Sequence, residues 1–187
     1  ATIYFGSMYM PQNIAIVAAI LLRIFITGAL HEDGLTDFVD GFGGGGSDRQ
    51  RILDIMKDSR IGTYGVLGII FYELLPFFSL SCMPPVLAAL SVFAADPYAK
   101  MLAGQIIQMM PYARTEEQSK AKNVYRRMNI GASICLALQG LLPLGLFFYL
   151  TRLTLEWDLI VFVPCVVMYF LYRLIWKRLK GYTGDCC

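Results

Sequence analysis

The sequence predicts an all-α, polytopic integral membrane protein with about five transmembrane helices and one interfacial amphipathic helix. Hydrophobic residues make up 57% of its 187 residues and charged residues only 16%, whereas soluble proteins carry about 25% charged residues. The hydrophobic residues also fall in long blocks rather than in an amphipathic pattern. No segment has the composition of a soluble domain, so residues 1–187 are expected to form a single membrane domain.

Five hydrophobic blocks are long enough, or nearly long enough, to cross a bilayer, which requires about 20 apolar residues in a helix. They cover residues 12–30, 63–82, 85–110, 130–150 and 159–176. Between the first two blocks, basic and apolar residues alternate with helical periodicity. This pattern predicts an amphipathic helix over Arg49–Tyr64 that lies at the membrane interface.

The basic residues predict the orientation of these spans. Thirteen of the 16 lysines and arginines lie in residues 31–62, 111–129 and from 173 onward. These segments alternate with the spans, and loops rich in Lys and Arg usually face the cytoplasm. The chain begins without Met and stops abruptly, so we also expect that residues are missing at one or both ends.

An acidic segment directly follows the first hydrophobic block. Asp33, Asp37 and Asp40 have the spacing i, i+4, i+7, which places them on one helical face within about 10 Å of axial length. Such carboxylates repel one another unless a cation neutralises them, and hard oxygen ligands suit Mg²⁺. The alternative is a solvated acidic helix end, but ionisable groups beside a transmembrane segment are usually functional.

Residues around the acidic segment have candidate roles with open alternatives. His31 either removes a proton from a substrate or forms hydrogen bonds at a helix end. The glycines, Gly41 and Gly43–Gly46, either let the backbone approach a phosphate or form a flexible loop. Lys57 and Arg60 are the best candidates for binding phosphate, although their helix could instead anchor the chain to anionic lipid.

Charged residues also occur inside or near the spans, where they are costly unless paired or hydrated. Glu73 and Asp96 either line a cavity for a large substrate or reach the interface. Arg23 and Lys100 are their candidate partners, although the sequence alone does not establish either pair.

Four motifs carry a resemblance to a known family: HEDGLTDFVDGFGGG from residue 31, RILDIMKDSRIGTYG from residue 51, PYAR from residue 111 and GYTGD from residue 181. The chain resembles the cobalamin synthase family, also called adenosylcobinamide-GDP ribazoletransferase or cobalamin-5′-phosphate synthase. The resemblance covers essentially the whole chain, with the motifs in the expected order.

The resemblance implies a membrane enzyme of the late branch of cobalamin biosynthesis that requires Mg²⁺. Such enzymes join adenosylcobinamide-GDP to α-ribazole or α-ribazole 5′-phosphate and release GMP. The implied location is the bacterial inner membrane, with the active site facing the cytoplasm. The implied partners are these substrates and the lipid bilayer, with no nucleic acid, and a homo-oligomer is left open.

Site residues follow from the motifs together with this resemblance. The metal ligands are expected to be Asp33, Asp37 and Asp40. The expected catalytic residues are His31, Asp37, Asp58, Arg60, Arg114 and Asp185. The expected substrate-binding residues are Lys57, Gly41, Gly43, Thr183 and Gly184. Glu32 stands where the family often has an apolar residue, which argues against Glu32 as a ligand.

Two other classes of protein compete with this interpretation. CDP-alcohol phosphotransferases also bind Mg²⁺ through aspartates on membrane helices, but neither Asp33-Gly34 nor Asp40-Gly41 is followed by the Ala-Arg pair of their signature. A cation transporter would usually place its carboxylates near the bilayer midplane, between broken helices. The acidic cluster here lies instead at one face, beside basic residues, so the enzyme is favoured.

Overall fold

The structure is a computed structural model that describes residues 1–113, 128–152 and 157–186. These residues form eight α-helices and, outside the helices, one isolated β-bridge but no strand. The helices are α1 (Thr2–Gly6), α2 (Gln12–Thr27), α3 (Leu30–Gly44), α4 (Arg49–Ile55), α5 (Thr63–Ser81), α6 (Pro85–Met109), α7 (Ile130–Thr151) and α8 (Trp157–Leu179). The predicted all-α fold is confirmed.

Four helices, α5 to α8, are each long and apolar enough to cross a membrane. Helices α2 and α3 together form a fifth candidate, but the pair is bent by 88°. The bend occurs because Gly28 and Ala29 both adopt left-handed backbone conformations, with φ of 63° and 59°, which end a right-handed helix. The polytopic architecture is confirmed, although the predicted first span, 12–30, ends its helix at Thr27.

The chain divides into two compact units, Ala1–Val92 and Phe93–Cys187, with the boundary inside α6. In the first unit, the apolar core joins α1, α2, α5 and the start of α6 through Ile3, Ile16, Leu80 and Ala88. The single membrane domain expected from the sequence stays a prediction.

A polar side chain also ties α2 to the end of α5 within the first unit. The Gln12 amide donates hydrogen bonds to the carbonyl oxygens of Leu80 and Met83, at 3.0 and 2.7 Å. These carbonyls lie at the end of α5 and in the turn after it, where a helix leaves backbone acceptors without intrahelical partners. Gln12 therefore fixes the start of α2 against the far end of α5.

In the second unit, α6 packs closely on α7 and is hydrogen-bonded to α8. A Cβ added to Gly140 would lie 2.6 Å from the Cβ of Met101, so only glycine permits this approach. The Tyr98 hydroxyl donates to the carbonyl oxygen of Val161 at 2.9 Å. On α6 itself, the ammonium of Lys100 lies 2.8 Å from the Asp96 carboxylate, so Lys100 pairs with one of the two acidic residues for which it was a candidate partner.

Helix α4 is shorter than the amphipathic helix predicted over Arg49–Tyr64. It ends at Ile55, because the chain then turns at Asp58, whose side chain accepts a hydrogen bond from the Arg60 backbone N–H at 3.1 Å. The apolar side chains of Ile52, Leu53 and Met56 are buried, and α4 packs on α3. That apolar face is therefore covered by protein rather than available for the membrane interface.

Candidate active site

The acidic residues lie on α3 as the spacing predicts, but they differ in exposure. Asp33 is exposed, Asp37 is half-buried, and Asp40 is buried. Because the end of α3 is packed on α4 and α5, the last of the three aspartates is the most buried. Two carboxylates, those of Asp33 and Asp37, therefore remain accessible to a ligand at least in part.

Asp40 caps the start of α5. Its Oδ2 accepts a hydrogen bond from the Gly62 N–H at 2.7 Å, and its Oδ1 accepts one from the Gly65 N–H at 2.8 Å. These N–H groups lie at the beginning of α5, where backbone donors have no partner within the helix and a negative charge is favoured. The carboxylate of one helix thus anchors the beginning of another.

The glycines at the start of α5 make room for this cap, which leads to a stability prediction. A Cβ at Gly65 would lie 2.4 Å from Asp40 Oδ2 and 3.1 Å from the Thr36 carbonyl oxygen, so Gly65→Ala must displace the carboxylate. We expect the melting temperature in detergent to fall by about 3 °C or more. The matched control is Gly145→Ala on α7, where nothing lies within 4 Å of an added Cβ. An equal fall in both variants would contradict the capping role.

The carboxylates of Asp33 and Asp37 could supply two ligands to Mg²⁺ but not a complete coordination shell. Within the described ranges, no three His, Cys, Asp or Glu side chains form a group that could hold a metal ion. Mg²⁺ commonly binds one or two carboxylates and completes its coordination with water and substrate phosphate oxygens. Asp33 and Asp37 provide two carboxylates on one helical face, as in that pattern. Asp40, whose two oxygens accept hydrogen bonds from Gly62 and Gly65, stays a predicted metal ligand.

The glycine-rich segment is largely helical, so the loop interpretation is wrong for residues 41–44. A Cβ at Gly41 would lie 2.4 Å from Met56 Cγ, and one at Gly43 would lie 2.5 Å from the Tyr64 ring. These glycines let the segments that follow α3 approach it closely. Contact between Gly41 or Gly43 and a substrate stays a prediction.

Asp58 and Arg60 form an exposed ion pair after α4. The Arg60 Nη2 and Asp58 Oδ2 are 2.8 Å apart, and the Arg60 Nε lies 3.1 and 3.2 Å from the two Asp58 oxygens. These hydrogen bonds lower the pKa of the Asp58 carboxyl and raise the pKa of the Arg60 guanidinium. Asp58 is therefore a weaker proton acceptor than a free carboxylate. Lys57 beside it is exposed, and His31 lies half-buried in the first turn of α3.

In the second unit, the structure joins the PYAR and GYTGD motifs. The Ala113 N–H donates to the Tyr182 carbonyl at 2.7 Å, and the Tyr182 N–H donates to the Pro111 carbonyl at 3.0 Å. The next residues form a short 3₁₀ turn over Gly184–Cys186. The sequence placed the two motifs on the same membrane side but did not predict this bridge.

Thr183, Gly184 and Asp185 directly follow Tyr182, the residue that forms that bridge. Thr183 is fully buried, and its hydroxyl donates to an Asp185 oxygen at 3.3 Å. Arg114 lies outside the described residues. The proposed roles of Arg114, Thr183, Gly184 and Asp185 stay predictions.

A charged cluster in the first unit was only partly anticipated. The Arg23 Nη2 donates to Glu32 Oε1 at 2.5 Å and to the Tyr72 hydroxyl at 2.7 Å, with Glu73 Oε1 3.9 Å away. The sequence left Arg23 as a candidate partner of Glu73 or Asp96 and missed Glu32, which lies closer to Arg23 than Glu73 does. The charge of Glu32 could have predicted this contact, because a carboxylate next to a hydrophobic membrane segment usually pairs with a basic residue.

These features define a polytopic helical membrane protein with an acidic helix beside a segment of exposed basic residues. A family model described as cobalamin-5-phosphate synthase matches residues 1–187. The chain belongs to this family, a family of transferases in cobalamin biosynthesis, and the membership decides against the phosphotransferase and transporter alternatives.

Curated relatives agree with the family match. The chain is 32% identical over 187 residues to an adenosylcobinamide-GDP ribazoletransferase of Leptospira interrogans, covering 98% of the chain and 70% of the relative. It is 35% identical to the protein of that name in Vibrio parahaemolyticus, and the match covers 98% of the chain and 67% of the relative. It is 33% identical to a Shewanella protein of that name, and the match covers 95% of the chain and 66% of the relative. The chain thus spans about two thirds of these relatives' length, and no solved structure matches it.

Proposed function

We propose that the chain carries out the Mg²⁺-dependent joining of adenosylcobinamide-GDP to α-ribazole or α-ribazole 5′-phosphate, with release of GMP. The relatives' names support the reaction. The observation that supports its location is the acidic helix α3, which keeps Asp33 and Asp37 accessible while Asp40 fixes the helix to α5. We place the protein in the bacterial inner membrane, with this site on the cytoplasmic side. The reason is that most of the basic residues lie in the segments on the side of the site, and such segments usually face the cytoplasm.

Asp33 and Asp37 would hold the metal ion against the pyrophosphate of adenosylcobinamide-GDP. When bound, Mg²⁺ offsets negative charge and polarises the phosphorus under attack. The two carboxylates lie one helical turn apart on a helix fixed by its neighbours, so they provide hard oxygen ligands at a defined spacing. This arrangement uses the substrate itself to complete the metal coordination.

Lys57 and Arg60, in the segment between α4 and α5, would bind phosphate oxygens of the substrate. Both side chains are exposed, and the guanidinium retains donors beyond those that bind Asp58, since arginine has five N–H groups. Charge-assisted hydrogen bonds of this kind are among the stronger ones in proteins. Here they would stabilise the negative charge that GMP acquires as it leaves.

The acceptor must lose a proton as its hydroxyl oxygen attacks the phosphorus nearer the cobinamide. The new O–P bond forms as the bond between that phosphorus and the GMP oxygen breaks. Of the residues proposed as catalytic, His31 and Asp37 are the candidate proton acceptors on α3, and the pairing with Arg60 disfavours Asp58 for this role. Positioning and electrostatics, rather than a covalent intermediate, provide most of the catalysis in such transfers.

Release of GMP tests this proposal. The full-length protein in lipid vesicles is incubated with adenosylcobinamide-GDP and α-ribazole, and GMP and the corrinoid product are quantified by chromatography. We expect release to require both substrates and to fall by about 100-fold or more when EDTA removes divalent ions. Folded protein that releases no GMP with either ribazole acceptor, or releases it undiminished in EDTA, would contradict the proposal.

A further inference from the structure

The charged cluster around Arg23 bridges the bend between α2 and α3. Arg23 lies near the end of α2, since its carbonyl oxygen accepts a hydrogen bond from the hydroxyl of Thr27, the last helical residue. Glu32 lies in the first turn of α3 and is only 6% exposed. The 2.5 Å contact between Arg23 Nη2 and Glu32 Oε1 therefore connects two helices that diverge by 88°.

The same guanidinium also connects these helices to α5. Its Nη2 contacts the Tyr72 hydroxyl at 2.7 Å, its carbon lies 5.4 Å from the centre of the Tyr72 ring, and Glu73 Oε1 is 3.9 Å from Nη2. One arginine on α2 thus contacts side chains of both α3 and α5. Any rotation of α3 about Gly28 and Ala29 would break the contact with Glu32.

The cluster is not arranged for maximal stability. Among the described residues, three of its buried polar atoms, Arg23 Nε, Glu32 Oε2 and Glu73 Oε1, have no hydrogen-bond partner. Buried polar groups are nearly always satisfied, and a buried ion pair is often no more stabilising than apolar residues of the same size. Its defined geometry is therefore a better explanation for the cluster than a gain in stability.

Helix α3 is consequently held near both ends by contacts with other helices. At its start, Glu32 binds Arg23 of α2; at its end, Asp40 binds the first backbone N–H groups of α5. Asp33 follows Glu32 directly, and Asp37 lies between the two attachments. The direction of the Asp33 and Asp37 carboxylates depends on both attachments.

We propose that Arg23 is a positioning residue: through Glu32 it holds the first turn of α3 in place and so positions Asp33 with Asp37 to bind a divalent cation. The inference rests on the proposed function for the reaction that the cation serves. Its first consequence, cation affinity, is measurable in the resting protein without any substrate.

The test measures Mn²⁺ binding by electron paramagnetic resonance on the full-length protein, with Mn²⁺ alone as the probe. Removing the charge in Arg23→Gln is expected to weaken Mn²⁺ binding by about tenfold, because the first turn of α3, which carries Asp33, is then no longer held in place relative to Asp37. The Glu32→Gln variant should weaken it similarly. Arg23→Lys keeps the charge and should recover part of the affinity, as should the charge-exchanged R23E/E32R variant.

The matched control is Gln12→Ala, which releases the other end of α2 from the carbonyls of Leu80 and Met83. It is expected to lower the melting temperature while leaving Mn²⁺ affinity within twofold of the unsubstituted protein. A merely structural role for Arg23 predicts instead that Gln12→Ala and Arg23→Gln behave alike.

Two results would overturn the inference: unchanged Mn²⁺ affinity in folded Arg23→Gln and Glu32→Gln, or no Mn²⁺ binding by the unsubstituted protein. Failure of the proposed function has a different signature. In that case the protein binds Mn²⁺ and responds to Arg23 substitutions as described, but releases no GMP from adenosylcobinamide-GDP.

Discussion

Replacing Asp37 by Asn is expected to reduce GMP release by about 100-fold or more, the largest catalytic effect in this protein. Asp37 lies half-buried in the middle of α3, one turn after Asp33, where it can contribute both a metal ligand and negative charge. Asn preserves the size of the side chain but removes the charge that holds the cation. Initial rates of GMP release at saturating substrate measure the effect, and a melting curve checks that the variant is folded.

Asp54→Asn provides the matched control for this experiment. Asp54 is an exposed carboxylate on α4 that accepts a hydrogen bond from the Gln50 amide at 2.9 Å. The same change of charge there should leave GMP release within about twofold, because Asp54 is outside the proposed metal pair. Full activity in the Asp37→Asn variant would be consistent with the proposed reaction but would show that the metal site does not depend on Asp37.

Replacing Asp40 by Ala is expected to have the largest effect on stability. The substitution removes two hydrogen bonds to a charged acceptor, so the Gly62 and Gly65 N–H groups lose the carboxylate to which they donate. Hydrogen bonds to charged groups contribute about 1.5–3 kcal/mol each. The melting temperature should therefore fall by about 5 °C or more, with a smaller fall for Asp40→Asn, which retains one acceptor oxygen.

Asp33→Ala separates this stabilising role from metal binding. Asp33 is exposed on the same helix, so its removal should change the melting temperature by less than about 1 °C while weakening cation affinity. If Asp40→Ala left stability intact and weakened cation binding as Asp33→Ala does, Asp40 would be a metal ligand, as its spacing in the sequence suggests, rather than a helix cap.

Hydrophobicity alone predicted the helices that cross the membrane, because a bilayer of fixed thickness demands long apolar segments. The helices α5 to α8 agree closely with the predicted blocks. The acidic helix was also predictable, since the spacing of Asp33, Asp37 and Asp40 is helical. These features depend on local composition and periodicity, which a sequence displays directly.

The bend and the two attachments of α3 depend on tertiary contacts that the sequence does not display. Ala29 adopts a left-handed conformation for which alanine has no preference. Asp40 binds a helix start 22 residues further along the chain. The pair of Arg23 and Glu32 forms only because the bend brings their side chains together. The three aspartates of α3 therefore lie in different surroundings, which their spacing in the sequence does not reveal.

Asp33 and Asp37 are proposed to hold a divalent cation against the pyrophosphate of the activated corrinoid. The most direct test of this metal site is a Mn²⁺ titration, followed by electron paramagnetic resonance, of the unsubstituted protein and the D33N/D37N variant in the presence of adenosylcobinamide-GDP. We expect the variant to bind Mn²⁺ at least about tenfold more weakly in this complex. Equal affinity in the two folded proteins would show that the cation binds elsewhere and would contradict the claim.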